Sequence, residues 1–357
     1  MEGPRMKTFN YDEYEKRAWD NEVLGIVSAI HEYRGKQDLF LKQKPATLEK
    51  LMKTAKVQST AASNEIEGIR TSGTRLKQLF AEKTTPQTRD EEEIEGYRYV
   101  LNEIHESFEY IPLTPNYILQ LHKDLYRYSH KSIGGSYKNG QNQIAATDQK
   151  GREIILFTPL SAFETPDAMD RLCDTYNKAI HAENVDALLL IPIFIHDFLC
   201  IHPFNDGNGR LSRLLTTLLL FRSGYVVGRF VSLESKIAGA KDPYYEALQD
   251  SQTGWHEGSD DPVPFIKYLL RTILAAYRDF EERVIVAEEK PQAIDQVRDA
   301  INRKVGKFSK SEIMGMCPAI GRASVENSLA RLSEEQYIDR HGVGRSTFYT
   351  RHDAKRN

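Results

Sequence analysis

The stretch that decides the fold is IHPFNDGNGRLSRLLTTLLLF, at residues 201–221. It joins a polar, glycine-rich loop directly to an apolar segment. Gly207 and Gly209 permit backbone conformations that bulkier residues resist, so successive N–H groups around Asn208 can converge on an anion. A helix that begins there favours negative charge at the same place. The stretch therefore predicts a phosphate-binding loop at the start of a core helix.

Three types of side chain add chemistry to this loop. Asp206 suits Mg²⁺, because this ion takes few carboxylates and bridges phosphate oxygens. Arg210 and Arg213 are three residues apart on the predicted helix, which favours one shared face and two guanidinium groups for further phosphates. His202 is the group that takes up a proton near neutral pH. Each residue alone has a structural explanation, such as a turn or a solvated helix face, but the joint pattern favours a functional site.

The pattern His-x-Phe-x-Asp-Gly-Asn-Gly-Arg-x-x-Arg resembles the signature of the Fic family, whose members mostly transfer AMP from ATP to a hydroxyl of a target protein. The resemblance implies that His202 is the general base for a Ser, Thr or Tyr hydroxyl and that Phe204 anchors the loop. It also implies that Asp206 holds Mg²⁺ against the phosphates of ATP. The implied phosphate-binding groups are the amides around Gly207, Asn208 and Gly209 and the side chains of Arg210 and Arg213.

A second motif lies earlier in the chain, in the sequence SNEIEG at residues 63–68. We expect a helix over residues 46–67 with Gly68 just past its end. Ser63 and Glu67 are four residues apart and share a helical face. A carboxylate in the last turn lies at the negative end of the helix dipole, so Glu67 favours a cationic partner. Simple exposure of Glu67 to water is the alternative.

This second motif resembles the Fic family's inhibitory motif, [Ser/Thr]-x-x-x-Glu-[Gly/Asn], in the class that carries its own inhibitory helix. The resemblance implies that Glu67 pairs with Arg213 and keeps ATP from seating its γ-phosphate. The charges agree, because a carboxylate on that guanidinium removes a phosphate ligand and repels the triphosphate. In some relatives the same glutamate positions a water that removes AMP, so a two-way enzyme is left open.

Two further segments concern the target and the nucleobase. Residues 135–159 contain short runs separated by turn residues at 148–151, which predicts a hairpin. By position it resembles the Fic flap, which holds the target's modified segment by strand addition; an ordinary surface hairpin is the alternative. The predicted flap residues are Gln143, Ile144 and Ala145. The sequence KDPYYEAL at residues 241–248 resembles the family's Tyr-Tyr segment, and either stacking on adenine or core packing explains Tyr244 and Tyr245.

Composition fits a soluble protein of more than one domain. The 357 residues are 40% hydrophobic and carry a formal net charge of −3, which argues against chain-wide affinity for nucleic acid or anionic membrane. The longest apolar run, residues 187–195, is much shorter than the roughly 20 residues of a membrane span. The first residues lack an apolar signal core, and the spacing of Cys173, Cys200 and Cys317 suggests neither disulfides nor zinc. We expect a cytoplasmic protein without a membrane partner.

Helical spacing dominates the sequence before residue 290, so the expected fold is mainly α: an all-α Fic helical bundle with a β-hairpin flap. Thr114 before Pro115 is a helix start signal, and Thr165 before Pro166 repeats it. Helices are predicted from residue 115 and at 11–35, 91–110, 166–182, 186–199, 209–223, 243–252 and 261–287. The expected organisation is an N-terminal helical region with the inhibitory helix at 1–110, a catalytic core at 111–288 and a small domain at 291–357.

The C-terminal residues 291–357 have a character of their own. Helices are predicted at 294–305, after a capping box at 309–312, and at 321–332, followed by strands at 337–340 and 346–350. This order resembles a winged-helix module. The segment has 12 Lys and Arg against 8 Asp and Glu, a net charge of +4. The arginines near the third helix and wing are Arg322, Arg331, Arg340 and Arg345. DNA binding, protein docking and dimer formation all fit this pattern.

Three hypotheses for function follow. The first is an autoinhibited protein adenylyltransferase that uses ATP and Mg²⁺ to modify an unknown target protein, or itself. The second is transfer of another nucleotide or phosphate moiety. The third is a DNA-binding regulator whose Fic core senses nucleotides, with residues 291–357 as the DNA-binding part. Association into a homodimer is left open, because no sequence feature decides it.

Overall fold

The structure is a computed structural model that describes residues 7–43, 45–130, 133–147, 153–289, 293–304, 306–318 and 320–352. The chain forms two compact units, Met1–Glu282 and Arg283–Asn357. The two regions predicted at 1–110 and 111–288 thus lie almost entirely within the first unit. In the parts of the chain described here, no helix is both long and apolar enough to cross a membrane.

The first unit is built mainly of helices, which confirms the mainly-α prediction. Their bounds are α1 (Asn21–Gln43), α2 (Pro45–Ile66), α3 (Gly73–Phe80), α4 (Arg89–Ser107), α5 (Pro115–Leu125), α6 (Thr165–Ala182), α7 (Ala187–Ile201), α8 (Asn208–Arg222), α9 (Leu233–Gly239), α10 (Lys241–Gln252) and α11 (Val263–Glu289).

The centre of this unit is the helix pair α7 and α8. Helix α7 is apolar on all sides, and Leu190, Ile193 and Phe194 are almost fully buried, as expected for a helix inside a core. It packs against α6 and α8, while α2 packs against α4 and α9 and also contacts α8. The helix with the predicted inhibitory motif therefore lies beside the helix that follows the phosphate loop.

Helix starts follow the cap chemistry of the sequence with two exceptions. Thr114 caps α5 by accepting from the N–H of Tyr117, as predicted. Thr165 is instead the first residue of α6, and its hydroxyl donates to the carbonyl of Ser161. The helix predicted at 11–35 is interrupted: a 3₁₀ turn over Tyr11–Glu15 precedes α1, which begins where Asp20 accepts from the N–H of Val23.

Two short helices were not predicted. Helix α3 has eight residues and α9 has seven, too few for a clear periodic pattern. Ser72 and Ser232 cap them through their hydroxyl oxygens, so serine N-caps were the signal that the sequence carried for both.

The hairpin of the first unit pairs β1 (Ile144–Thr147) with β2 (Glu153–Phe157) in antiparallel register, with Ala145 opposite Ile155. The turn predicted at 148–151 lies outside the described residues. Ile154 and Ile155 on β2 are about half exposed, at 48% and 52%. The hairpin therefore offers an apolar, solvent-facing strand.

The second unit contains three helices followed by a hairpin, in the predicted order. Its elements are α12 (Ala293–Asn302), α13 (Lys310–Met316), α14 (Arg322–Glu334), β3 (Ile338–His341) and β4 (Phe348–Arg351). The capping box between Ser309 and Glu312 is present. Phe308 bridges Tyr349 and so adds a short third pairing to the β3–β4 hairpin. The winged-helix assignment remains a prediction.

Candidate active site

His202 ends helix α7 in an unusual backbone conformation. Its φ of 51° lies in the left-handed region, and its N–H closes the helix by donating to the carbonyl of Phe198 at 3.0 Å. Left-handed backbone is costly for a residue with a side chain, and it is often retained at functional sites. The turn brings the chain out of the core helix immediately before the glycine-rich loop.

The loop after His202 is fastened by Phe204 and Asn208. The Phe204 ring is fully buried and stacks on His122 with ring centroids 3.7 Å apart. The Asn208 side chain brackets Phe204, accepting from its N–H at 2.9 Å and donating to its carbonyl at 2.8 Å. The side chain of Asn208 is thus occupied in holding the loop, and only its backbone is left for binding phosphate.

Gly207 and Asp206 form the entrance to helix α8. Gly207 caps the helix with φ of 86°, and a Cβ there would approach the Tyr126 hydroxyl oxygen to 3.0 Å. The Asp206 carboxylate accepts from the N–H of Gly207 at 2.7 Å while its side chain stays 44% exposed. One accessible carboxylate beside a helix N-terminus fits Mg²⁺ held jointly with substrate phosphates.

Arg213 is enclosed by the end of helix α2. Its Nε donates to Ser63 Oγ at 2.8 Å, and its Nη2 donates to the Ser63 carbonyl at 2.9 Å and to Glu67 Oε1 at 2.8 Å. The Arg213 side chain is 4% exposed, whereas that of Glu67 is 33% exposed. The structure thus brings Ser63 and Glu67 to Arg213, which lies about 150 residues later in the sequence.

Two neighbours make this contact fit. A Cβ on Gly209 would collide with the Glu67 carboxylate, so glycine at 209 is what permits the close approach. Gly68 has φ of 79°, and the N–H of Ile69 donates to the Asn64 carbonyl, which turns the chain sharply after α2. The Lys241 ammonium donates to the Ile66 carbonyl at 2.5 Å. Sequence reasoning missed Lys241, although a cation is favoured at a helix C-terminus.

A cavity of about 500 Å³ joins several of these groups. Its charged and polar end is lined by Glu67, His202, Gly209 and Arg213, and its other walls include Tyr244, Tyr245, Leu248, Ile144, Ala145 and Leu156. Tyr244 is 4% exposed and packs against Phe265, whereas Tyr245 is 43% exposed. Predicted base, inhibitory, nucleobase and flap residues therefore share one cavity.

Arg210 has different surroundings from Arg213. Its side chain is 1% exposed, and its Nη2 lies 2.8 Å from Glu93 Oε2 and 2.8 Å from the Tyr126 hydroxyl. Neither Arg210 nor Asp206 is among the residues that line the cavity. Of the predicted flap residues, Ile144 and Ala145 line it and Gln143 does not. The phosphate-binding role of Arg210 stays a prediction.

Burial sets the protonation of His202. Desolvation lowers its pKa to about 4, and the nearby Lys138 ammonium adds to this effect, while Glu67 and Asp206 oppose it. The imidazole is therefore neutral at physiological pH, which is the form that accepts a proton. Lys138 itself is buried, and desolvation lowers its pKa to about 8.

A second cluster of ionisable groups lies one to two turns before His202. Among the described residues, His196, Asp197 and Asp260 form the group with metal-like spacing. The Lys7 ammonium contacts Asp197 at 2.9 Å and Asp260 at 2.8 Å, and the Trp255 Nε1 donates to Asp197 at 2.7 Å. The Lys7 ammonium thus lies within this cluster. We interpret the cluster as a structural network of ion pairs.

The arginines of the second unit are largely paired. On α14, Arg322 Nε lies 3.0 Å from Glu326 Oε1, and Arg331 Nε lies 3.0 Å from Glu335 Oε1. Arg340 lies on β3, and the Arg345 side chain lies outside the described part of the structure. Helix α14 therefore presents alternating charges to solvent and not a basic stripe.

Comparison with known proteins fits this geometry. The Fic/DOC family model matches residues 112–220, the stretch from just before α5 to near the end of α8. Residues 112–220 are thus similar to the Fic domain, the family whose signature the motif at residues 202–213 resembles.

Curated relatives are similar to part of this chain in sequence, and a solved structure is similar to it in fold. A Fido domain-containing protein of Dictyostelium discoideum is 28% identical over 121 residues, which are 33% of this chain and 80% of that protein. A protein adenylyltransferase Fic of Nematostella vectensis is 24% identical over 182 residues, 50% of this chain and 36% of that protein. The crystal structure of a Fic family protein from Desulfovibrio desulfuricans G20 has a TM-score of 0.64 at 21% identity, covering 96% of this chain and 98% of that one. The chain thus spans about a third of the adenylyltransferase from Nematostella.

Proposed function

We propose that the chain is an autoinhibited protein adenylyltransferase that transfers AMP from ATP to a Ser, Thr or Tyr hydroxyl of a target protein. The observation that carries the proposal is the shared cavity, in which a neutral histidine, His202, lies with an arginine, Arg213, that is already paired with Glu67. The curated relatives named protein adenylyltransferases support the reaction class.

In the proposed reaction, His202 accepts the proton of the target hydroxyl as its oxygen attacks the α-phosphorus of ATP. The bond between the α-phosphorus and the α–β bridging oxygen breaks, and pyrophosphate leaves with the electron pair. The N–H groups at the start of α8 stabilise negative charge, because they point toward an anion at a helix N-terminus. Asp206 would hold Mg²⁺, which neutralises phosphate charge when bound.

Inhibition follows from the competition for Arg213. With Glu67 on its guanidinium, a phosphate gains no charge-assisted hydrogen bond from Arg213 and meets a carboxylate instead. Glu67 lies in the turn after α2 and not within the helix. Glu67 also shares the cavity with His202, which supports a second role for the same carboxylate, the activation of a water for AMP removal.

The remaining assignments complete the ATP site. Tyr245, half exposed on the cavity wall, is the better stacking surface for adenine, because Tyr244 is held in the core by Phe265. Ile144 and Ala145 on β1 would align the target segment by strand addition. Arg210 contacts Glu93 through Nη2, and its Nε and Nη1, which make no hydrogen bond within the described residues, would be the groups that meet phosphate.

The DNA-binding alternative has weaker support. Arg322 pairs with Glu326 and Arg331 pairs with Glu335, so this helix lacks the concentrated positive charge that supplies affinity for the DNA backbone. Transfer of another nucleotide moiety, a winged-helix role for residues 291–357 and homodimer formation all remain predictions.

Labelling with α-phosphate-labelled ATP and Mg²⁺ in a cell extract tests the proposal. We expect weak labelling by wild type, strong labelling by Glu67→Gly and none by Glu67→Gly/His202→Ala. Glu65→Gly is the matched control, because Glu65 is an exposed glutamate of the same helix end and pairs only with Arg70 at 3.4 Å; it should label like wild type. Equal labelling by all variants, or none by any, would overturn the proposal. AMP removal is scored by release of label from the modified target.

A further inference from the structure

Lys138 is a buried lysine in the segment between α5 and β1, with only 3% of its surface exposed. Its ammonium donates to the carbonyl of Ile201 at 2.9 Å. Its backbone N–H donates to the carbonyl of Pro203 at 2.8 Å. One residue thus holds the two carbonyls on either side of His202.

These contacts act on the backbone that positions the imidazole. Ile201 is the last residue of α7, where carbonyls lack partners within the helix and a cation is favoured by the helix dipole. His202 follows in the left-handed conformation, which is unfavourable for a residue with a side chain. Two hydrogen bonds across this turn offset that cost and fix the direction of the His202 side chain.

The charge of Lys138 acts on the imidazole itself. A positive charge in a desolvated site disfavours a second positive charge nearby. The charged groups that face His202 are Lys138 from the segment before β1, Glu67 from the end of α2 and Asp206 from the loop before α8. Lys138 is the cation among these three, and its own nearest acidic influence is Glu164 at the start of α6.

We propose that Lys138 is a positioning residue for His202, which fixes the two peptide groups on either side of it and places a positive charge beside its imidazole. The electrostatic part stands without any assumption about the reaction. The kinetic part rests on the adenylyltransferase function proposed above.

The first test is an NMR titration of the His202 ring, assigned by comparison with His202→Ala. We expect Lys138→Met to raise the pKa of His202 by about one unit, since an interacting charge shifts a pKa by one unit or more. Lys138→Arg keeps the cation and should leave that pKa within about 0.3 units of wild type. Lys53→Met is the matched control, because Lys53 is an exposed lysine on α2 that pairs with Glu49. This readout needs neither ATP nor a target.

The second test is the rate of AMP transfer in the Glu67→Gly background. Adding Lys138→Met should lower kcat about 10- to 100-fold, because misplacing a catalytic group by about 1 Å costs that much. The KM for ATP should change less than about threefold, and Lys138→Arg should restore most of the rate.

Three results would overturn the inference. One is an unchanged His202 titration in a folded Lys138→Met variant. The second is an unchanged kcat in that variant. The third is equal loss of kcat in Lys138→Met and Lys138→Arg with no change in the pKa, which would make Lys138 a merely structural residue. If no variant transfers AMP at all, the proposed function fails, and the titration still decides the role of Lys138.

Discussion

The two arginines of helix α8 lie one turn apart and are both buried, but the carboxylates that pair with them differ in exposure. Arg210 pairs with Glu93, and the two side chains are 1% and 2% exposed. Arg213 pairs with Glu67, whose side chain is 33% exposed. Glu93 lies inside helix α4, whereas Glu67 lies in the turn that follows α2. The position of the carboxylate, and not the arginine, decides whether the pair is a fixed part of the core or an exchangeable contact.

The largest expected effect is on the free energy of unfolding, which should respond differently to the loss of each arginine–glutamate pair. Glu93→Gln should lower the free energy of unfolding of the chain by about 3–5 kcal/mol, because it removes the nearer and buried of the two carboxylates beside Arg210 and leaves Asp206 at 3.8 Å. Urea unfolding measures this change. Glu92→Gln, at the preceding position of α4, should change the free energy of unfolding by less than about 1 kcal/mol. A loss this small for Glu93→Gln would show that the Arg210 pair is as exchangeable as the Arg213 pair.

The second largest expected effect is on the rate of AMP transfer, which should also distinguish the two arginine–glutamate pairs. Glu67→Gly should raise the rate of AMP transfer about tenfold to a hundredfold, because it releases a charge-assisted hydrogen bond of about 1.5–3 kcal/mol from Arg213. The initial rate at fixed ATP and target concentration measures it. Glu93→Gln should give no such rise, and a rise of similar size would remove the distinction between the pairs.

A smaller effect concerns what holds Glu67 in place. Lys241→Met removes a cation from the C-terminus of α2, an interaction worth about 0.3–1 kcal/mol. The end of α2 should then hold Glu67 less firmly against Arg213. The rate of AMP transfer should therefore rise about two- to fivefold. Lys236→Met is the control, because Lys236 pairs with Asp279 on the neighbouring α9–α11 contact. Equal rates for both lysine variants and wild type would show that Lys241 does not stabilise the pair of Glu67 and Arg213.

The smallest effect is electrostatic. Glu67 raises the pKa of His202 through its negative charge, so Glu67→Gly should move that pKa below its value of about 4. Because His202 acts as a base only when neutral, AMP transfer should be lost as pH falls through this pKa and be steady above it. A pH–rate profile of Glu67→Gly measures the acid limb. An acid limb near pH 6.5 would contradict a buried His202.

The loop was predictable from sequence because its determinants are local. Gly207, Gly209, the start of α8 and the end of α7 at His202 all follow from residues within a few positions of one another. The proximity of Ser63 and Glu67 to Arg213 is not local, and only the family resemblance suggested it. Among the described residues, the structure then showed contacts that neither the local sequence nor the family resemblance predicted. One of them is the hydrogen bond from Lys241 to the C-terminus of α2.

Spacing alone did not predict the neighbours of Arg210 and Arg213. Three residues on an α-helix leave about 60° between two side chains, so long side chains can reach different neighbours. The sequence predicted one shared face and phosphate binding for both arginines; in the structure Arg210 lies against Glu93 and the Tyr126 hydroxyl, and its phosphate-binding role stays a prediction. Burial of Lys138 was equally hidden, because a lysine is ordinarily expected at the surface.

The most direct test of the account is a double-mutant cycle of Glu67→Gly and Arg213→Ala, with the initial rate of AMP transfer as the readout. If Glu67 inhibits by occupying Arg213, Glu67→Gly should raise the rate strongly in wild type and have no effect in the Arg213→Ala background. An equal rise in both backgrounds would contradict the account, because inhibition by Glu67 would then not act through Arg213.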